Sequence, residues 1–268
     1  MSRNENGLVE AAAEVARLAG EVALRHYRSG LAVETKADGS PVTAADREAE
    51  RGAREWIEAR FPEDGILGEE LGRSRPAAPR RWILDPIDGT KTFVRGVPLW
   101  GSLVAVVEGE RVVAGAASFP ALGEAIAAAP GFGCWWNGAR CAVSDVAEIG
   151  RSTVLTTDER FAGDVSRRAG WSRLAERARL SRSWGDCYGY LLVATGRAEV
   201  MVDAILAPWD AAAVMAIVEE AGGVFTDWDG ARTAFGGSAI ATNGGVASAA
   251  RALLSDGAGK PERRREDA

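Results

Sequence analysis

Histidine is almost absent: His26 is the single one in 268 residues. It falls in a helical pattern beside Tyr27, which suits a helix-surface or half-buried position. One imidazole builds neither a clustered-histidine metal site nor a Ser-His-Asp triad, and phosphohistidine chemistry is all but excluded. Any catalysis must therefore run on carboxylates, hydroxyls and metal. Cysteine is scarce too. Cys134, Cys141 and Cys187 make an odd count with no CxxC pair, which argues against a disulfide framework and for a reducing cytoplasm. No apolar run approaches the ~20 residues of a membrane span. The opening MSRNENGLVE has no basic stretch followed by an apolar one, so no secretion signal is expected. Positive charge is not in excess. The net charge is −6, which is no footprint for nucleic acid.

What is present is an ample core. Apolar residues make up 47% of the chain, enough for one large α/β domain or two small lobes sharing a sheet. Leu8, Ala12, Val15, Ala19 and Val22 share one helical face, so about 8–28 reads as an amphipathic helix. KADGSPVT is a turn-rich break, and a second helix runs from about Thr43 to Arg60, stopped by Phe61-Pro62. ILGEELG is a short strand and turn, RSRPAAPR a surface loop, and WILD a short buried strand. GSLVAVVEGERVVAGAASFP reads as a hairpin, followed by strand–turn–strand with Asn137-Gly138 at the turn. The rhythm changes near 150. STVLTT, AEVMVD, VFTDWDG and SAIATN read as strands. AGDVSRRAGWSRLAERA, DCYGYLLVATG, PWDAAAVMAIVEEAGG and about 245–255 read as helices. The expected organisation is an N-terminal α+β lobe over 1–150, a C-terminal α/β lobe over 151–255, and a disordered charged tail over 256–268.

Four acidic patches remain after the core is accounted for. They are Glu69-Glu70, Asp85-Pro-Ile-Asp88-Gly-Thr, Asp210 in PWD, and Asp46 in VTAAD. Each has a purely structural reading. Glu69-Glu70 alone is surface charge, and DPIDGT alone is a turn. Asp46 closes a capping box on Thr43, and Asp210 suits the first turn of a helix. Together they suggest a cage for Mg²⁺, which takes hard oxygens and substrate phosphate. Asp85, the Ile87 carbonyl and Asp88 would face one ion, while Gly89 and Thr90 open a turn whose N–H groups hold phosphate.

GEE, WILDPIDGTKTFVRGVP and PWDAAAVMAIVEEAGG, in this order and spacing, resemble the signatures of the inositol monophosphatase-like family of Mg²⁺-dependent, lithium-sensitive phosphatases. The likeness spans about residues 8–255. It implies a layered α-β-α-β-α sandwich, an α/β fold, acting as a homodimer on a small phosphomonoester. Carried over residue by residue, Glu69, Asp85, the Ile87 carbonyl, Asp88 and Asp210 are the metal ligands. Glu69 also helps activate the attacking water, and Thr90 with Asp46 orients it. Gly89 and Thr90 hold phosphate, and Glu70 supports the ligands. The implied reaction is in-line attack by a metal-activated water, with no covalent intermediate. A haloacid-dehalogenase-type aspartyl nucleophile fits poorly, because it uses D-x-D where this chain has D-x-x-D. On an extended strand the extra residue sends the second carboxylate to the opposite face.

The segment RSWGDCYGYLLVATG separates branches of the family. Where inositol-type members are small and neutral, this chain has Asp186, Cys187 and Tyr188. GDCYGY with GTKTFVRGVPLWGSL resembles the histidinol-phosphatase branch, whose substrate carries an amine and an imidazole. Acidic partners suit such cations. Asp186 and Asp203 are the candidates, with Arg182 steadying phosphate or a carboxylate. Asp186 also reads as a helix N-cap, Cys187 as packing, and Trp135-Trp136 as core or dimer contact. Lys91 receives no role. The alternatives are an inositol-1-phosphate phosphatase, a phosphoadenosine phosphate phosphatase, for which a second basic patch is missing, and a non-catalytic metabolite-binding dimer.

Overall fold

A computed structural model describes residues 3–30, 32–36, 39 and 41–255. The expected tail at 256–268 and part of the break between Lys36 and Thr43 lie outside them. In chain order the elements begin with α1 (Arg3–His26), β1 (Val33–Thr35), β2 (Pro41–Thr43), α2 (Ala44–Arg60), β3 (Gly65–Gly68) and β4 (Gly72–Ser74). Next come β5 (Arg80–Asp88), α3 (Thr90–Val94), β6 (Gly101–Glu108), β7 (Arg111–Phe119), β8 (Glu124–Ala129), β9 (Gly133–Trp136) and β10 (Ala139–Cys141). The chain continues with β11 (Thr153–Thr156), α4 (Val165–Arg177), β12 (Leu180–Arg182), α5 (Asp186–Ala194), β13 (Val200–Asp203), α6 (Pro208–Glu220), β14 (Val224–Thr226), β15 (Ala239–Thr242) and α7 (Ala247–Ser255).

Two sheets follow from the apolar patterning. One has eight strands in the order β10-β9-β8-β7-β6-β5-β3-β4, and the other has five in the order β12-β11-β13-β15-β14. The outer face of the larger sheet takes the α1 stripe of Leu8, Ala12, Val15 and Ala19, together with Ala49, Ala53 and Ile57 of α2. Its inner face packs on α5 and α6, whose other sides meet Met201, Phe225 and Ala241 of the smaller sheet. α4 and α7 cover the far side through Trp171, Leu174, Leu253 and Leu254. The layers are therefore α-β-α-β-α, as expected. Each Val or Leu fully buried in these seams contributes roughly 1.5–3 kcal/mol of transfer free energy. α5 and α6 are apolar all round because both of their faces are covered.

Local chemistry sets the ends that matter. Thr43 caps α2 in a capping box with Asp46, as the sequence suggested. α6 starts on Pro208, and Asp210 reaches back to the Ala207 N–H at 2.7 Å. The Asn137-Gly138 turn has φ of 48° and 78°, the double left-handed geometry of a two-residue hairpin. The short strands β1, β2, β4 and β12 carry too little apolar alternation to stand out in the sequence. Among the described residues no helix is long and apolar enough to cross a membrane.

Candidate active site

The pivot is the end of β5. Asp85 pairs with Leu103 of β6 and Asp88 with Gly101, so three residues are spent on one strand against two on the other. This bulge corrects the strict alternation argument. The extra residue turns Asp88 back to the side of Asp85 rather than away from it. Pro86 sits in the irregularity, where a missing N–H costs no ladder bond. Its carbonyl accepts the Ser102 hydroxyl at 2.6 Å. The Ile87 N–H donates to Asp85 Oδ1 at 3.0 Å, and the Ile87 carbonyl accepts the Thr90 hydroxyl at 3.0 Å.

Three carboxylates meet there. One oxygen each from Asp85, Asp88 and Asp210 lies within 4.8 Å of the others. Asp210 arrives from the first turn of α6. Asp88 is steadied by the backbone N–H of Cys187 at the start of α5. Glu69 comes from the end of β3, which runs parallel to β5 and places Gly68 beside Leu84. Its N–H donates to the Leu84 carbonyl at 3.2 Å, which leaves Glu69 next to Asp85. Lys36 bridges Glu69 at 2.7 Å and also pairs with Glu70. Burial works to lower the Lys36 ammonium, but the hydrogen bonds to Glu69 and Glu70 outweigh it and hold its pKa above the ordinary value.

Electrostatics single out the cluster. Burial first, then repulsion from Glu69, Asp88 and Asp210, drives the Asp85 carboxyl well above its usual range. Asp88 rises through burial and the charges of Asp186 and Asp210. Asp210 rises through burial despite the Ala207 N–H, and Glu69 through burial despite Lys36. Asp46 is fully buried and raised by desolvation, against hydrogen bonds from Thr43. Its second oxygen, Oδ1, has no hydrogen-bond partner among the described residues. Packed acids that cannot all ionise together are a hard-oxygen donor set that fits a divalent cation such as Mg²⁺.

Beside the cluster lies a hollow of about 80 Å³ lined by Asp88, Asp186, Asp203, Asp210 and Tyr190, among others. A wider one of about 310 Å³ shares Asp186 and Asp203 and is also lined by Lys91, Asp158 and Ile205. Gly89 has φ 85°, and a Cβ there would stand 3.2 Å from both Asp186 Oδ2 and the Leu99 carbonyl, so the site needs glycine twice over. Asp186 does not act as the N-cap of α5. Gly185 takes that position, and the Asp186 carboxylate instead accepts the Thr92 hydroxyl at 3.3 Å. Burial pushes Asp186 up to about 6 against that bond. Asp203 accepts the Thr157 N–H at 3.1 Å and the Tyr190 hydroxyl at 2.9 Å, yet burial still pushes it up to about 7.

Not every expected residue joins. Arg182 is exposed, donates to the Ser181 carbonyl at 2.7 Å, and lines neither hollow. His26 is half-buried and pairs with Glu48 at 2.9 Å. Trp136 gives its indole N–H to Glu124 at 2.9 Å. Sequence reasoning missed Lys36, Thr92, Thr157, Tyr190 and the Cys187 N–H. The tyrosine alone carried a signal, since a buried phenol needs a partner.

The chain is similar to known proteins over most of its length. Residues 5–261 match the model of the inositol monophosphatase family. The chain is 46% identical over 234 residues to a histidinol-phosphatase of Chlorobaculum parvum, covering 87% of this chain and 90% of that one. It is 41% identical over 228 residues to a histidinol-phosphatase of Mycobacterium tuberculosis, covering 80% and 84%. The solved structure of an inositol monophosphatase from Zymomonas mobilis superposes with a TM-score of 0.84 at 32% identity, covering 95% of this chain and 99% of that one. The chain belongs to the inositol monophosphatase family.

Proposed function

We propose that the chain is a Mg²⁺-dependent phosphoric monoester hydrolase, a histidinol-phosphatase. It hydrolyses L-histidinol phosphate to L-histidinol and phosphate in L-histidine biosynthesis. The observation that carries the substrate choice is the acid wall of Asp186 and Asp203 beside the three-carboxylate cluster. An ester with a cationic amine and an imidazole suits one half-buried and one buried carboxylate, Asp186 and Asp203; a neutral polyol does not need them. The two relatives named histidinol-phosphatase support the same choice.

In this reading Asp85, Asp88, Asp210, Glu69 and the Ile87 carbonyl hold the Mg²⁺. When bound, the ion supplies Lewis acidity to phosphate and leaving-group oxygen and lowers the pKa of water. The chain's own groups do the rest. Asp46 and Thr90 orient the attacking water, and Glu69 accepts its proton. The Gly89–Thr90 turn positions phosphate, and Asp186 with Asp203 fixes the amino end of the substrate. Residues 1–150 supply most of the metal ligands and 151–255 complete the pocket. A homodimer in the cytoplasm is carried over from the family resemblance and the cysteine usage.

The second reading, inositol-1-phosphate hydrolysis, is favoured by the likeness to the Zymomonas mobilis inositol monophosphatase. A non-catalytic binding dimer has no use for so many converging, mutually repelling carboxylates. The test is a panel of histidinol phosphate, inositol-1-phosphate and phosphoadenosine phosphate at equal concentration with Mg²⁺. Preference for histidinol phosphate is expected. Preference for the inositol ester would overturn the substrate choice, and no turnover of any ester would overturn catalysis.

A further inference from the structure

We propose that Glu50 is a positioning residue for the acid cluster, holding the turn that carries Glu69. The inference rests on reading Glu69 as a ligand of the cation. α2 turns Ala45, Asp46, Ala49, Glu50, Ala53 and Ile57 inward, so its buried stripe contains two acids one helical turn apart. Asp46 belongs to the site. Glu50 is fully buried and is not one of the three clustered carboxylates. Its oxygens are spent on backbone: Oε2 accepts the Glu70 N–H at 2.7 Å, and Oε1 accepts the Leu71 N–H at 3.2 Å. Arg54, one turn on, pairs with Oε1 at 2.7 Å and also donates to the Gly72 carbonyl. Residues 70, 71 and 72 are thus tied to one helix by one ion pair.

The other side of the turn is shaped for the same carboxylate. A Cβ on Gly68 would lie 1.9 Å from Glu50 Oε1. Gly68 has no left-handed φ, so space alone demands glycine there. Between Gly68 and Glu70 stands Glu69, its own N–H fixed to Leu84 of β5. A buried carboxylate is expensive to desolvate, and apolar residues serve a helix seam better. Here the charge-assisted bonds to two N–H groups set the direction in which Glu69 leaves the backbone. Partners that orient a ligand without touching the metal change affinity for it by roughly 10–100-fold when removed.

The experiment is calorimetric titration of Mg²⁺ into the wild type, Glu69→Gln, Glu50→Gln and Gly68→Ala, with circular dichroism and melting on each. Gly68→Ala displaces the Glu50 carboxylate without deleting it, so it serves where Glu50→Gln does not fold. Glu50→Gln is expected to weaken Mg²⁺ binding by roughly 10–100-fold and to raise the Mg²⁺ needed for half-maximal phosphate release by the same factor. The substrate KM at saturating Mg²⁺ stays unchanged. Folded variants with Mg²⁺ affinity within about twofold of wild type overturn the inference, while a weakened Glu69→Gln leaves the ligand reading intact. An unaffected Glu69→Gln overturns both. Loss of the fold in both Glu50→Gln and Gly68→Ala also overturns it, by making Glu50 a residue of stability alone.

Discussion

Replacing Asp186 by alanine tests substrate choice at a single atom group. The carboxylate lines both hollows, while the Asp186 N–H stays free to donate to Thr157 Oγ1 at 2.8 Å. A charged hydrogen bond to a cationic amine contributes about 1.5–3 kcal/mol. At ~1.4 kcal/mol per decade, its loss lowers kcat/KM for histidinol phosphate by roughly 10–100-fold. A generic ester such as nitrophenyl phosphate loses nothing through this contact. It even gains slightly, because after burial the charge of Asp186 is the strongest influence opposing ionisation of Asp88. Asp186 has φ 49°, which asparagine tolerates better than alanine, so Asp186→Asn is the matched control for backbone strain. Burial pushes Asp186 up to about 6, so its anion is present above that pH and lost below it. Wild-type selectivity for histidinol phosphate over nitrophenyl phosphate therefore fades as pH falls through about 6, and that of Asp186→Asn is flat. The assay is the ratio of kcat/KM for the two esters from pH 5 to 8. Equal loss on both esters would refute the reasoning and make Asp186 structural.

Other consequences follow from the same electrostatics. Asp85→Asn removes the buried member of three mutually repelling acids. It should raise the metal-free melting temperature by a few degrees yet lower the rate by roughly 10²–10⁴, as scanning calorimetry in EDTA and phosphate release will show. Asp203 rises from an ordinary 3.8 to about 7 on folding. An acid raised this way stabilises the fold below its unfolded pKa and loses that contribution as pH climbs to the folded one. At ~1.4 kcal/mol per pH unit the wild type should lose up to about 4 kcal/mol relative to Asp203→Asn between pH 4 and 7, read by urea unfolding without metal. Gly89→Val should fold poorly or bind inorganic phosphate far more weakly, because its Cβ crowds the Leu99 carbonyl at a left-handed φ. Normal phosphate binding by that variant would disprove the role of the turn.

How far the sequence speaks depends on where each signal is written. α1 and α2 were legible because their apolar stripes repeat with the helix, and the Thr43–Asp46 box marks where α2 begins. The clustered acids Asp85, Asp88 and Asp210 stand out in the sequence as acids following apolar runs. Their convergence was not derivable from alternation, since the bulge at Pro86 reverses it. Backbone donors leave no letter behind, so the Cys187 N–H on Asp88 was invisible. Glu50 looked like an ordinary helix acid because its partners are the N–H groups of a turn twenty residues away. Lys36 lies in a turn-rich break that carries no periodicity. Asp186 read equally as a cap, and only the observed backbone separates the two roles.

The central proposal is that the acids at the end of β5 and the head of α6 hold the magnesium that phosphate release requires. Mg²⁺ titrated into EDTA-treated protein with L-histidinol phosphate tests it most directly. The expected result is no release without the ion and saturable release with it, and no release in either condition from Asp88→Asn. Equal phosphate release in EDTA and in Mg²⁺, or undiminished release by Asp88→Asn, would contradict it.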